Sequence, residues 1–266
     1  MSTATATAPL QAGKGTAPVQ VLTERAIREA GRTLDALLPT LLIPVFFLVV
    51  NVGQAGRIFP AGSTPWLEGQ NYAAFQLPSS ILLAASFGTA ALYLVEEIEN
   101  GYFDKIRATP IPRWSIAMGR LSSEGLKTMG MTIVIVLIAL PFGISLASGI
   151  GGLVLLVLLS ALWALGYAGF LQFVALKTRS SAATNSAGLV FFPLLFVTPN
   201  FVPRELLTRP MEIAATFNPV TYVVESMRSL ILQDYNWAVI WPGFAVAGGF
   251  VAIMLVINVR VMKHYD

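Results

Sequence analysis

Six stretches of this chain, residues 36–56, 69–95, 128–147, 150–176, 184–203 and 238–259, contain no Asp, Glu, Lys, Arg or His. In lipid every backbone N–H and C=O must be satisfied within its own segment, so a helix of about 20 mostly apolar residues is the economical way across. Each stretch meets that length, and the fold class that follows is an all-α polytopic membrane protein with six transmembrane helices. Turns rich in Gly, Pro and Ser punctuate the stretches, among them "GQAGRIFPAGSTPWLEGQN" after the first and "SLASGIGG" after the third. Composition agrees: 55% of residues are hydrophobic and 12% charged, with a mean hydropathy of +0.70, against about 45–50% and 25% in soluble domains.

Basic residues orient the spans, because cytoplasmic loops carry the excess of Lys and Arg. With the N-terminus inside, Lys14, Arg25, Arg28, Arg32, Lys105, Arg107, Arg113, Arg120, Lys127, Lys177, Arg179, Arg260 and Lys263 are cytosolic, which is 13 of the 17. Arg57, Arg204, Arg209 and Arg228 face outward. Both termini are therefore expected in the cytosol. Residues 1–20 lack the apolar core of a signal peptide and read as a disordered tail. Over 21–34, Leu22, Ala26, Ala30 and Leu34 recur at intervals of four among charged residues, as in an amphipathic interfacial helix; a charged flank of the first span is the alternative. Residues 35–266 form the six-span domain.

The segment "PRELLTRPMEIAATFNPVTYVVESMRSLILQDYN" between spans five and six is too apolar for a solvated loop and too broken by Pro203, Pro210 and Pro219 for one helix. Two short helices, about 204–216 and 220–232, dipping into the outer leaflet as a re-entrant hairpin, reconcile both properties.

Several function classes are excluded by what is missing. Ion-coupled carriers hold ionisable groups at membrane depth, and the six stretches have none. An intramembrane enzyme or metal site needs clustered acids, histidines or thiols, whereas the chain has no cysteine and a single histidine, His264. "GKGT" at 13–16 lacks the upstream glycine of a phosphate loop. A formal charge of +3 is too small to imply nucleic acid as a partner, and the inside bias explains it. No catalytic residue, metal or bound cofactor is expected in this chain.

One charged island remains, "YLVEEIENGYFDKIRATPIPRWS" at 93–115. Over 96–109, Ile98, Tyr102 and Ile106 share a helix face with Phe103 beside them, and Pro110 and Pro112 end the helix. A short amphipathic helix of this kind suits a groove on a partner protein; resting on the lipid surface is the alternative.

Here the order of parts resembles the permease subunits of ABC-2 type (type 2 ABC) exporters, particularly the daunorubicin/doxorubicin drug-resistance branch. "EEIENGYFDKIRATPIPRWSIAMGR" is similar to that family's acid-rich helix, glycine and Pro-x-Pro-like turn. "FPLLFVTPNFVPRELLTRPMEIAATFNPVTYVVESMR" is similar to its fifth span, outer hairpin and Asn-Pro-x-Thr-Tyr element, here Asn218, Pro219, Thr221 and Tyr222 with Arg228 following. The resemblance implies a homodimer of six-span halves docked on two copies of a cytosolic ATP-binding subunit, which alone would hold ATP and Mg. It makes the island the coupling helix, with Glu97, Ile98, Tyr102, Phe103, Ile106 and Arg107 as ATPase contacts, and lines the route with spans one, two and five. Candidates along that route are Asn51, Gln76, Ser79, Ser86, Thr89, Asn185, Phe191, Phe192 and Phe196. Ser and Thr also glue membrane helices together, so packing is the competing role for each.

An uncharged, Phe-rich path favours hydrophobic drugs or lipid-like cargo moved out of the cytosol or inner leaflet. A lipid-linked oligosaccharide or polysaccharide would call for a Trp and Tyr belt along the channel, and most of the five Trp sit near span ends. A non-transporting membrane scaffold is the reading from another class.

Overall fold

The computed structural model describes residues 34–87, 90–107 and 113–263, and every regular element among them is helical. The N-terminal tail, the surface helix expected over 21–34 apart from Leu34, Thr89 and His264 lie outside the described residues. In chain order the helices are α1 (Leu34–Ala55), α2 (Tyr72–Ser86), α3 (Ala90–Glu99), α4 (Tyr102–Arg107), α5 (Arg113–Ala139), α6 (Gly149–Thr178), α7 (Ser181–Gly188), α8 (Phe191–Val197), α9 (Arg209–Phe217), α10 (Pro219–Leu232) and α11 (Trp237–Lys263).

Among the described residues four helical stretches are long and apolar enough to cross a membrane: Tyr72–Glu99, which joins α2 and α3, Met118–Phe142 at the end of α5, α6 and α11. The other two expected spans are shorter as apolar helix, Pro39–Ala55 within α1 and the broken stretch Ser181–Val197. The break has a local cause. Pro193 has no N–H, and its ring collides with the carbonyl four residues earlier, at Leu189, where the chain turns between α7 and α8. There Leu189 and Val190 N–H donate to carbonyls only three residues back, at 3.2 Å each, and the Tyr167 hydroxyl donates to the Gly188 carbonyl at 2.8 Å.

The third expected span is also displaced. Instead of covering 128–147, α5 begins at Arg113 and stops at Ala139, before the turn Leu140–Phe142 that holds Pro141 and ends on Gly143 at φ +77°. The helix extends backward through Arg120, Glu124 and Lys127, charges that the uncharged-run criterion had excluded.

α2 is the centre of the bundle: all 15 of its residues are buried. Its small residues let neighbours approach from every side, and α1, α5, α6 and α10 all pack on it. Its N-cap is Asn71, whose side chain accepts from Ala74 N–H at 3.1 Å and donates to the Phe142 carbonyl at 2.6 Å. α6 and α11 meet through glycine. A Cβ on Gly169 would lie 2.8 Å from Met254 Cβ, and the same approach lets Asn258 Nδ2 donate to the Gly169 carbonyl at 2.8 Å.

α10 grips α11 where Pro242 interrupts the latter's hydrogen-bond ladder. Gly243 N–H donates to Ser226 Oγ at 3.1 Å, and Ser226 Oγ lies 2.8 Å from the Val239 carbonyl. The α10 hydroxyl thus sits within the gap in the neighbouring helix. No side chain fits at Gly243, because its Cβ would come 2.6 Å from Ser226 Cβ and 2.8 Å from the Tyr222 carbonyl. Gly243→Ala should therefore destabilise the protein by about 1–3 kcal/mol through overpacking, read as a drop of a few degrees in thermal unfolding, and Ser226→Ala in the same background should recover part of it.

Candidate functional site

The island is built onto the bundle. Leu94, Val95, Phe103, Ile116, Ala175, Leu176 and Met262, from α3, α4, α5, α6 and α11, form a small buried core of their own, with Ile98 and Val261 packed against it. Burying these apolar side chains ties the charged loop to three long helices. Ion pairs complete the attachment. Arg120 of α5 pairs with Glu97 of α3, their side chains only 12% and 11% exposed, and Lys127 pairs with Glu124 one turn along α5. Glu99 Oε1 accepts from Ser181 N–H at 3.2 Å and Ser181 Oγ at 2.9 Å, joining the end of α3 to the start of α7.

The helix read as continuous over 96–109 is interrupted. Gly101 adopts φ +67° and donates its N–H to the Ile98 carbonyl at 3.1 Å, stopping α3 before α4 begins. A left-handed glycine just past the last turn is a common helix stop. It also breaks the four-residue register that aligned Ile98 with Tyr102. Ile98 and Phe103 turn inward to the small core, Phe103 being 1% exposed, while Tyr102 turns outward at 41%. Glu96, Asp104 and Lys105 are exposed on the same island. Ile106 and Arg107 lie in α4, with side chains outside the described set. Arg120 reaches across from α5 to Glu97 on α3, a pairing that spacing along one helix does not reveal.

At the opposite end, Asn218 caps α10. Its Oδ1 accepts from Val220 N–H at 3.0 Å, while Nδ2 donates to the Leu194 carbonyl at 2.6 Å and Thr198 Oγ1 at 3.1 Å, with Pro219 as the first helical residue. The Tyr222 hydroxyl donates to the Thr216 carbonyl at 2.8 Å and its ring lies under the Arg204 guanidinium. Arg204 forks onto both oxygens of Glu225, at 3.0 and 2.6 Å. Arg228, 8% exposed, stacks on the Phe75 ring at 3.5 Å and donates from Nε to the Phe75 carbonyl at 3.3 Å. α10 is almost wholly buried, whereas α9 lies outside it, with Phe217 84% exposed.

The route candidates do not converge within one copy. Gln76 is fully buried and donates to the Tyr72 hydroxyl at 2.7 Å and the Asn200 carbonyl at 2.9 Å. Ser86 accepts from Trp163 Nε1 at 2.9 Å and donates to the Leu82 carbonyl. Ser79 and Asn51 are buried. Phe191 is sealed against Trp163 and Tyr167, and Phe192 meets Phe87 edge-on. Asn185 and Phe196 instead face outward, Phe196 beside Phe47 of α1. The contacts of Trp163 and the pairing of Arg204 with Glu225 escaped the sequence reading; the segment that holds the last two also carries Glu205, Arg209, Glu212 and Arg228, so nothing in the sequence singled that pair out.

Residues 18–232 match the family described as ABC-2 type transporter. The chain belongs to that family. It is also 25% identical over 236 residues to the daunorubicin resistance ABC transporter permease protein DrrB1 of Streptomyces coeruleorubidus, covering 86% of this chain and 80% of that one. Membership of the ABC-2 family makes the chain an integral membrane subunit of an ABC transporter, with ATP hydrolysis carried by a separate ATP-binding subunit.

In this ABC-2 chain the Glu97–Arg120 pair holds α3 to α5 in largely buried surroundings. Breaking a fully buried ion pair by removing one partner costs about 3–5 kcal/mol; with side chains 12% and 11% exposed, Arg120→Met should approach the lower figure. Glu97→Leu with Arg120→Met should recover most of that loss, measured as chemical or thermal unfolding of the purified protein.

Proposed function

We propose that this protein is the membrane subunit of an ATP-driven exporter that moves hydrophobic drugs or lipid-like molecules out of the cytosol or inner leaflet. The observation that carries this reading is the similarity, over most of its length, to a permease whose name states daunorubicin resistance. The uncharged stretches of the sequence and the Phe residues on α8 support it, since an apolar cargo needs no buried charge to pass.

The working unit on this reading is a homodimer of six-span halves in a prokaryotic plasma membrane, with cytosolic termini, two ATP-binding subunits and an outer re-entrant hairpin formed by α9 and α10. α1 and α8 expose Leu42, Phe46 and Phe196, as a route shared between two halves or a lipid-facing surface requires. Tyr102, with Glu96, Asp104 and Lys105 around it, is the docking face, joined by Ile106 and Arg107 at the end of α4. Phe103 is a positioning residue behind that face. A push on α4 would reach α5, α6 and α11 through the small core, because packed side chains transmit displacement.

Two substitutions separate docking from folding. Tyr102→Asp should reduce co-purified ATP-binding subunit by about tenfold or more, the loss of a well-packed aromatic anchor, with thermal stability nearly unchanged. Phe103→Ala should instead cost about 3–5 kcal/mol of stability. Vesicles holding the intact complex should export an anthracycline when ATP is supplied. Recovery of the chain alone in several detergents, with no ATP-driven movement, would sink the exporter reading in favour of a scaffold.

A further inference from the structure

A cavity of about 450 Å³ opens at the hairpin end, between the loop before α2, the turn around Arg204 and one face of α10. That volume lies within the range of small-ligand sites, about 300–1,000 Å³. Two buried polar atoms of residues on its wall have no partner. Arg228 Nη2 forms no hydrogen bond although the residue is 8% exposed, and Ser229 Oγ forms none although that residue is 5% exposed. A buried charged donor left unmade is costly, and the obvious acceptor, Glu225, already has both oxygens engaged by Arg204. Stacking on Phe75 fixes the guanidinium plane but supplies no anion. The wall therefore carries a fixed guanidinium and a hydroxyl whose hydrogen-bonding capacity is not spent within the protein.

The rest of the lining is of two kinds. Trp66, Phe75 and Leu232 are apolar, while Glu68 and Glu205 are exposed acids of the same cavity. Glu68 accepts only a long hydrogen bond, 3.3 Å, from Gln233. A ligand bearing an anion alone would meet Arg228 but face two carboxylates; one bearing a cation alone would leave Arg228 unanswered. We propose that this cavity binds a zwitterionic amphiphile, its phosphate or carboxylate on Arg228 and Ser229, its ammonium toward Glu68 and Glu205, and its chain along Trp66, Phe75 and Leu232. The site belongs to this chain alone and does not depend on transport.

The test is direct binding to the full chain in dodecyl maltoside, without the ATP-binding subunit, by native mass spectrometry and calorimetry. Dihexanoyl phosphatidylethanolamine should bind more tightly than dihexanoyl phosphatidylglycerol, octylammonium or glycerophosphoethanolamine. Arg228→Met should weaken it by about tenfold or more, the loss of a charged hydrogen bond. Since Arg228 also holds α2, Glu68→Gln with Glu205→Gln provides a second reading at exposed positions, and should erase the preference for the ethanolamine lipid over the glycerol lipid. Equal binding of all four probes, or an unchanged preference in the double variant, overturns the proposal. Glycerophosphoethanolamine binding as tightly as the lipid overturns the amphiphile and leaves a soluble zwitterion. Either failure leaves the exporter reading untouched, because no step of it enters the assay.

Discussion

A helix with no exposed face governs this architecture. Every residue of α2 is buried, so lipid and water are kept from its polar groups and any partner has to come from the protein. Ala73, Ala74, Ser80, Ala84 and Ala85 keep its girth small enough for neighbours to close on it, the device membrane helices use where the hydrophobic effect no longer drives association. Gln76 and Tyr72 then reach the Asn200 and Phe201 carbonyls, while the Phe75 carbonyl receives Arg228. The irregular segment after α8 and the buried helix α10 are held in place by a helix whose own sequence looks merely apolar.

The two ends of the bundle solve different problems. The hairpin end is assembled around backbone carbonyls: Gln70 Nε2 donates to Ile231 at 2.7 Å, Tyr235 to Ser148 at 3.1 Å, and Ser148 to Leu230. Capping carbonyls with side chains is what irregular backbone at or near membrane depth demands. The island end relies on a compact apolar knot with ion pairs around it. That knot makes α4 part of the bundle, a mechanical requirement for any subunit that responds to an ATPase pressing on it.

Much of this was legible beforehand. The long uncharged runs yield α6 and α11, because each holds enough consecutive apolar residues to cross as one helix. Pro219 marks the start of α10 because a helix cannot run unbroken through it, and the island announces itself by charge. Other features were hidden. The uncharged-run criterion starts α5 too late, since charges paired at 12% and 11% exposure are compatible with a helix that criterion stops. The four-residue stripe through Ile98 and Tyr102 is broken at Gly101, which reverses the backbone at φ +67°. The route residues were the polar and aromatic members of three spans, yet Gln76 and Ser86 spend their polarity on helix packing.

By itself the sequence determined the class of solvent this chain occupies and the family to which it belongs, because mean apolarity and motif order are properties of residues counted along a line. Tertiary structure alone decided which polar groups are spent and which are left over. Arg120 meets Glu97 across 23 residues, and Arg204 takes both oxygens of Glu225 across 21. Arg228 Nη2 is consequently a buried donor with no acceptor. The reason is that a hydrogen bond depends on distance and direction in space, and once helices turn and pack those are no longer functions of spacing in the chain.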